Sequence, residues 1–518
     1  MLLKTTRLLG RRHPRHVMPL PLPLPMLALA LALGVTLPLA AGAQGAGRSS
    51  GFSPTLDSSL TYADTRRFDT APSRSELITE VRPGIQFSSR SGRLQGVASY
   101  SLGLVHRSRN DPSFQAQHQL SAALTGALIE NFAFVDVSAS IGRQSISAFG
   151  QQSFAEQNAS NSNRQEVGTL TISPSLRGNL AGLAVYDLRL TASGTNTRKS
   201  IAGDSTSTGG SLSLSSANRG ALVGWGLNAS STTTDFRAAG KSTSDRATAS
   251  LELNPDVDLG LSLRAGRETT DIGVTEKQSY DTWGGSARWS PSPRTLANFS
   301  TDRRFFGRSH SISLSHRLPL SSLRFSSVRD ITLSANPNSL GQPLTLYDLF
   351  FAQFASQEPD PVLRQQLVLN FIASLGLDPS ASIGGGFINR GPTVQERNDI
   401  AWTYSAKRLT LSAQAYASRT RQLEAAAAGT AETEQRGYTG SASYRLTPTA
   451  SASLIGSRLM TKPTATQSGT DLKSLSLTLS DRIGPYATAA LNARYTVFNS
   501  AFTPYRETAV GASLGLRF

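Results

Sequence analysis

Short stretches with strictly alternating apolar and polar residues recur along this chain, and they constrain its fold more than any other feature. The segments 258–266 (DLGLSLRAG) and 474–480 (SLSLTLS) each place their leucines on a single face of an extended chain. Successive side chains of a β-strand point to opposite faces, so each stretch is predicted to be a strand with one apolar face. Many such segments of about ten residues are typical of membrane-spanning β-barrels.

The connections between these strands alternate between short turns and longer polar loops. Turn residues such as Ser91-Gly92-Arg93 and Thr447-Pro448-Thr449 contrast with loops such as 147–165, 237–246 and 421–437. Gly and Asn tolerate positive φ and Pro presets φ, which explains their place in the turns. We predict an all-β protein, an antiparallel outer-membrane β-barrel of about 22 strands with roughly 16 to 22 as the range.

Aromatic residues lie near the ends of the predicted strands, as Trp283, Trp289 and Trp402 illustrate. Amphipathic rings favour the interface between lipid and water, so two girdles are expected. The alternative is the aromatic core of a soluble β-sandwich or propeller. A propeller would repeat a similar sequence in each blade, and no such repeat is visible here, which favours the barrel.

The first 43 residues have the features of an export signal, and we expect residues 44–518 to form the barrel. A basic start leads into an apolar stretch that is cleanest between Met26 and Leu37, and Ala41-Gly42-Ala43 offers a cleavage site. A membrane anchor is the alternative, but the apolar run is short and prolines precede it. Export of this kind predicts location in the cell outer membrane.

Composition limits the chemistry that the chain can perform. The formal net charge is +16 and cysteine is absent, so disulfides and thiolate sites are excluded. Beyond the signal, histidine is confined to four positions, and His310 and His316 are expected to share a polar, lumen-facing side of one strand. With no nucleophile elbow, phosphate loop or nucleic-acid module in sight, we expect no enzyme activity, no cofactor, no metal and no nucleic-acid partner.

One segment, residues 336–383, departs from the alternation. Leu346, Phe350 and Phe354 follow a helical spacing, and a second helix is predicted from Asp360, as N-cap, to Gly376. We predict a helical hairpin, either a plug inside the barrel or an outer cap or oligomer contact, because a barrel this wide tends to be plugged. The candidate packing residues are Phe350, Phe354, Leu363, Leu367 and Phe371.

Strand parity identifies candidate residues on the wall and at the end of the chain. Arg189, Arg264, Arg288 and Arg494 are predicted to face the lumen, which suggests a basic wall and anionic solutes. In the last strand, Leu514, Leu516 and Phe518 are predicted to form the outward face that barrel-assembly machinery recognises.

Four stretches, 75–107, 118–150, 359–377 and 397–421, resemble one family of proteins. They contain the motifs ITEVRPGI, FVDVSASI, PDPVLRQQLVLNFIASLGL and RNDIAWTYSAKRLTLSAQAYASRTR. On these motifs the chain is similar to the PEP-CTERM system-associated outer-membrane proteins of Gram-negative bacteria. The resemblance implies a barrel linked to exosortase systems and to export or assembly of exopolysaccharide or extracellular matrix, and it implies no catalytic residues.

Two other functions fit the same sequence. The first alternative is a general diffusion porin for small anionic solutes, and the second is a structural or adhesive barrel whose outer loops bind. The partners expected are outer-membrane lipid and lipopolysaccharide, the barrel-assembly machinery and polysaccharide-export components.

Overall fold

The computed structural model describes residues 50–518, with gaps at 68–73, 109–114, 155–160, 199–202, 219, 275, 375–385 and 424–431. Between 335 and 359 it describes only Tyr347, Phe350, Phe351, Phe354 and Glu358. The predicted signal at 1–43 lies outside the described residues. Within them, no helix is long and apolar enough to cross a membrane.

The described chain contains 22 strands and one well-defined helix. The strands are β1 (Ser50–Arg67), β2 (Arg74–Arg90), β3 (Leu94–Arg107), β4 (Gln115–Ile129), β5 (Ala133–Ser145), β6 (Arg164–Leu180), β7 (Ala184–Thr197), β8 (Ser205–Ser216), β9 (Val223–Phe236), β10 (Gly240–Asp256), β11 (Leu259–Thr270), β12 (Gln278–Ser292), β13 (Thr295–Arg304), β14 (Gly307–Arg317), β15 (Ser321–Thr332), β16 (Thr393–Ser405), β17 (Leu409–Gln422), β18 (Glu432–Arg445), β19 (Ala450–Thr461), β20 (Thr470–Arg482), β21 (Ala487–Asn499) and β22 (Tyr505–Arg517). The helix is α1 (Pro361–Ser374), between β15 and β16.

Each strand pairs antiparallel with its neighbour in sequence, and the ring closes between the first and the last strand. β1 pairs with β22 from Thr55 opposite Arg517 to Arg67 opposite Tyr505. Closure leaves no open sheet edge, so the backbone amide and carbonyl groups that face lipid find their partners within the wall. The predicted β-barrel is confirmed, with 22 strands.

The outward face of the wall is apolar at mid-height. On β20 the exposed side chains of Leu475, Leu477 and Leu479 alternate with Ser and Thr that point into the lumen. On β18, Tyr438 and Tyr444 are exposed on the same outward face, Tyr438 at the middle of the strand and Tyr444 next to its last residue. An apolar band flanked by aromatic rings is the surface that a bilayer requires, so the protein is an outer-membrane β-barrel.

The two ends of the barrel differ in the length of their connections. One end, the turn rim, carries the short turns, among them 91–93, 130–132, 406–408 and 446–449. The other end, the loop rim, carries the longer connections, including 146–163 and the segment 333–392 that contains α1. In outer-membrane barrels short turns lie in the periplasm and loops lie outside, which orients the molecule.

The predicted loop at 237–246 is wrong, because β10 already begins at Gly240. Gly240 has a φ of 77°, a left-handed conformation that lets residues 237–239 close the β9–β10 hairpin tightly.

Alternation on β9 offers a direct test of which face meets lipid. Leu227 is exposed on the outward face, and its neighbour Asn228 points into the lumen. We expect Leu227→Arg to lower the free energy of unfolding by about 2–4 kcal/mol, because it places a charge in hydrocarbon. Asn228→Arg, the matched control, should change it by less than about 0.5 kcal/mol. Urea unfolding in lipid vesicles measures both, and equal losses would contradict the assignment of the faces.

Candidate functional site: the lumen and its helical insert

The helical insert lies against the inner wall of the barrel. On β19, Leu454 is exposed on the outward face, so the adjacent Ile455 points into the lumen. Ile455 packs against the buried Phe350, Val368 and Ile372, which we call the insert cluster. α1 also lies beside β2, β3 and β20. The contact that joins the insert cluster to β19 is therefore on the inner face of the wall.

Local sequence explains where α1 begins. The Leu363 amide donates to Oδ1 of Asp360 at 3.4 Å, and the Arg364 amide donates to the Asp360 carbonyl oxygen at 2.9 Å. Asp360 therefore acts as the N-cap, and Pro361 occupies the first helical position, where a missing amide proton costs nothing. The predicted end of the helix at Gly376 lies outside the described residues.

Aromatic rings join α1 to the segment that precedes it. Phe371 makes edge-to-face contacts with Phe350 and Phe354, with ring centroids 5.0 Å and 5.2 Å apart. Val368 and Ile372 of α1 are fully buried beside them, at 0% exposure. Tyr347, Phe350 and Phe351 are themselves helical. The insert thus has a dry core of its own that also includes the wall residue Ile455.

The buried stripe of α1 is rotated relative to the predicted one. Phe371 packs as expected and Leu367 is half-buried, but Leu363 is 36% exposed. Val368 and Ile372 take the buried positions instead. Leu and Phe recur four residues apart on one side of α1, but the β-branched residues one position further along are the ones that are fully buried in the cluster with Phe350.

Arg364 adds a polar contact at the start of α1. Its Nε donates to the carbonyl oxygen of Glu358 at 2.7 Å, and its guanidinium lies 4.8 Å from the ring centroid of Phe351. Burial lowers the pKa of Arg364, and the positive charge of Arg324 on β15 acts in the same direction. Because β15 lies across the ring from β2 and β3, the insert approaches distant parts of the wall.

A second element, the inward loop at 146–154, also crosses the loop rim. Thr461 on β19 donates to the carbonyl oxygen of Ala148 at 3.1 Å, and the Tyr505 hydroxyl on β22 donates to that of Gln152 at 2.8 Å. Phe154 packs on a buried cluster in the wall, which consists of Tyr416, Leu459, Leu472, Phe498 and Tyr505. The loop therefore bonds to strands far around the ring from β5 and β6, which carry it.

The chain beyond the insert is bonded to the wall at the last residue of β5, next to the start of the inward loop. The chain that follows the insert forms a parallel bridge between Phe387 and Ser145, and the Ile388 amide donates to the Ser145 carbonyl oxygen at 3.0 Å. The sequence predicted this loop as an ordinary outer loop. The feature of the sequence that could have revealed its inward course is the pair Phe149 and Phe154 within an otherwise polar stretch, because aromatic residues there need a surface to pack on.

The predicted lumen arginines lie on the inner wall, and most of them form ion pairs. Arg189 contacts Asp136 at 2.7 Å, Arg264 contacts Asp302 at 3.1 Å and Arg494 contacts Glu507 at 2.8 Å. Arg288 forms no ion pair within the described residues. The wall is therefore much closer to neutral than the count of arginines suggested.

The densest group of charges lies on β10 to β15. Arg304 forms ion pairs with Glu268 at 2.5 Å and with Asp330 at 2.6 Å. Asp302 forms ion pairs with Arg246, at 3.5 Å, and with Arg264. Glu268 has no exposed surface, so its charge depends on Arg304 for compensation. Three arginines alternate here with three carboxylates, which stiffens the wall and leaves little net field in the lumen.

Arg397 on β16 was not singled out from the sequence, although it is among the most deeply buried charges. It is 2% exposed, it contacts Asp399 at 2.7 Å, and its guanidinium lies 3.9 Å from the ring centroid of Tyr416. A Cβ on Gly437 would overlap that ring, so glycine is what lets Tyr416 lie flat on the wall. The arrangement depends on the pairing of β17 with β16 and β18, whose register the sequence does not state.

One arc of the wall bears no charge on its inner face. On β8 and β9 the lumen-facing residues are small and mostly hydroxylated, and we call them the hydroxyl arc. They are Ser205, Ser207, Gly209, Ser211, Ser213, Ser215, Gly224, Gly226, Asn228, Ser230, Thr232 and Thr234, and the arc ends at the buried Phe236, which lies opposite Ser205. Such a surface offers both donors and acceptors to an uncharged, hydroxyl-rich solute.

His310 and His316 do not face the lumen, so this part of the prediction is wrong. The register pairs Ile312 with Phe299, which is exposed to lipid, and this places both histidines on the outward face of β14. His316 contacts the Thr295 hydroxyl at 2.8 Å and His310 contacts the Ser327 hydroxyl at 3.0 Å. Among the described residues, no group of three or more His, Cys, Asp or Glu could hold a metal ion.

At the end of β22 the predicted assembly residues share the outward face. Leu514 is exposed beside its register partners Ala489 and Ser58, Leu516 lies opposite Leu56, and Phe518 is exposed. Arg517 points inward from the same strand, where it lies opposite Thr55.

Comparison with known proteins gives likeness in architecture only. No family model and no curated protein matches the chain. Among solved structures, the FrpB iron transporter of Neisseria meningitidis (F5-1 variant, apoprotein) matches with a TM-score of 0.47 and 11% identity over 91% of this chain and 82% of its own. OpdO of Pseudomonas aeruginosa matches with a TM-score of 0.33 and 10% identity over 90% of this chain and 97% of its own.

Docking of the insert can be tested with two substitutions on the same helix. We expect Ile372→Asp to release α1, because it puts a carboxylate into a fully buried apolar site, and to raise the open probability about tenfold or more. Leu363→Asp makes the same change on the exposed side and should leave conductance as it is. Planar-bilayer recordings of the refolded barrel measure both, and equal records would contradict the docked geometry.

Proposed function

We propose that the protein is a gated outer-membrane conduit for exopolysaccharide, in a Gram-negative bacterium with a PEP-CTERM and exosortase system. The observation that carries the proposal is an insert whose apolar core packs on Ile455 of an otherwise polar, charge-paired wall. An insert of this kind obstructs passage while it is docked and can leave without exposing lipid-facing surface, since the barrel wall is complete without it.

The chemistry of the wall supports a solute that is rich in hydroxyl groups and weakly charged. The hydroxyl arc presents donors and acceptors along β8 and β9, and the charges elsewhere are largely neutralised in pairs. A polysaccharide can exchange hydrogen bonds with such a wall at many weak sites, which allows binding and release in turn. The same wall needs no catalytic group, and we propose a non-enzymatic role.

The porin alternative has less support. A diffusion porin for anions needs a field in the lumen that favours negative charge. Arg189, Arg264 and Arg494 contribute little to such a field because each lies against a carboxylate. The docked insert and the inward loop would further restrict free diffusion.

The proposed partners follow from the outward surfaces and from the resemblance. The exposed Leu514 and Phe518 at the end of β22 suit recognition by barrel-assembly machinery during insertion. Release of the insert would then fall to polysaccharide-export components on the periplasmic side, below the turn rim.

Secreted polysaccharide measured in a deletion strain tests the function directly. We expect deletion to abolish or greatly reduce the secreted polymer, and expression of the unaltered chain or of Leu363→Asp to restore it, because neither disturbs the docked insert. Secretion unchanged by the deletion would overturn the export role and would favour the structural or adhesive barrel. A barrel detected at normal levels in the outer membrane is the control for the complemented strains.

Ion selectivity separates the conduit from the porin. In the opened Ile372→Asp barrel we expect permeabilities for cations and anions that are close to each other, because the wall charges are paired. Reversal potentials in a salt gradient measure the ratio. Strong anion preference would support the porin, and loss of that preference in Arg288→Gln would identify the unpaired arginine as its source.

A further inference from the structure

The outward face of β17 to β20 carries a group of charged residues directly above the apolar band. We call it the basic patch, and it comprises Arg419, Arg436, Arg458, Lys462 and Lys473, with Glu432, Glu434 and Asp471 among them. Arg458 lies opposite Tyr438 in register, and Lys473 lies two positions from Leu475, both exposed to lipid. The patch therefore begins where the hydrocarbon ends, at the loop rim.

The register brings like charges side by side. Arg458 and Lys473 are direct partners on β19 and β20. Like charges placed opposite each other destabilise a sheet, and here a single carboxylate, Asp471, serves both, at 2.9 Å and 3.4 Å. Half of the side-chain surface of Lys473 and 45% of that of Arg458 stay exposed. One carboxylate cannot neutralise two basic side chains, so this pair of strands carries a net positive charge. The fold itself does not require that charge.

Further basic residues add to the excess of positive charge on this face. Glu434 receives both Arg419, at 2.7 Å, and Lys462. Arg436, on the outward face between these residues and Tyr438, is exposed and forms no ion pair within the described part of the chain. Basic side chains outnumber acidic ones in the patch. Their guanidinium and ammonium groups carry the charge opposite to that of phosphate and donate hydrogen bonds that phosphate oxygens accept.

A groove beside the patch gives it shape. It has a volume of about 550 Å³ and is lined by Arg458, Met460, Lys462, Pro463 and Asp471, with Asn499 and Ala501 on the far side. Arg458, Met460 and Asp471 are outward-facing members of β19 and β20, so the groove adjoins the surface that meets the outer leaflet. Its floor is partly apolar and its edge is basic, a combination that suits a phosphorylated sugar attached to acyl chains.

We propose that the basic patch and its groove bind the phosphorylated headgroup of lipopolysaccharide in the outer leaflet. Height selects this source of phosphate, because the patch lies at the lipid headgroup level rather than at the tip of the loops or in the lumen. The acyl chains of the bound lipid lie along the leucines of β20, and its phosphates contact Arg458, Lys473 and Arg436. The proposal does not depend on what the lumen conducts.

Binding of bisphosphorylated lipid A to the refolded full-length barrel in detergent, measured by native mass spectrometry, tests the site. Each basic residue near an anionic lipid surface strengthens binding about fivefold. We therefore expect the Arg458→Gln, Lys473→Gln double variant, which loses two of them, to bind about thirtyfold more weakly. Arg436→Gln breaks no ion pair of the described chain, so we expect this variant to fold as the unaltered chain does. It should bind about fivefold more weakly. Arg93→Gln, an exposed arginine at the turn rim, is the matched control and should bind as the unaltered chain does.

Two further probes exclude other sources of binding. Lipid A without its phosphates should bind as weakly as bisphosphorylated lipid A binds to the double variant, and millimolar inorganic phosphate should not displace the intact lipid. Equal binding of both forms of lipid A, equal loss in Arg93→Gln, or displacement by inorganic phosphate would each overturn the proposal. Heat-modifiable migration on gels confirms that every variant is folded before it is compared.

Discussion

Backbone hydrogen bonding in a medium without water is the constraint on which the rest of this structure depends. An unpaired amide or carbonyl group in hydrocarbon costs several kcal/mol, so a sheet in the membrane must close. The pairing of β1 with β22 meets that requirement, and the middle of the seam, from Ser58 opposite Leu514 to Ala63 opposite Ala509, consists mostly of small and apolar residues. Strand parity then becomes a rule for the whole wall, because every residue must face either lipid or lumen.

A closed ring of 22 strands solves the backbone problem and creates another, since its interior is too wide for wall side chains to fill. The molecule fills part of that space with folded segments rather than with large side chains. The insert brings its own aromatic core, and the inward loop bonds to strands far from its origin. The wall is mostly polar and carries its charges in pairs, and these segments rest on its apolar residues, the insert on Ile455 and the inward loop on the cluster around Tyr505.

Much of this architecture could be predicted from sequence because alternation is local. The leucines of β20 and the arginines of the inner wall need only a count of residues to be assigned to a face. Their pairing could not be predicted, because Arg304 meets Glu268 and Asp330 from strands whose register the sequence does not state. The rotation of α1 that buries Val368 and Ile372, the reach of the inward loop to Tyr505, and the position of His310 all depend on contacts between distant segments.

The bridge between Ser145 and Phe387 has a consequence for how the segments at the loop rim are anchored. Ser145 is the last residue of β5, so the bridge bonds the chain beyond the insert to the wall at the residue from which the inward loop departs. One short stretch of the wall therefore anchors both segments. A substitution that distorts the end of β5 would change both attachments at once, although the two segments lie far apart in sequence.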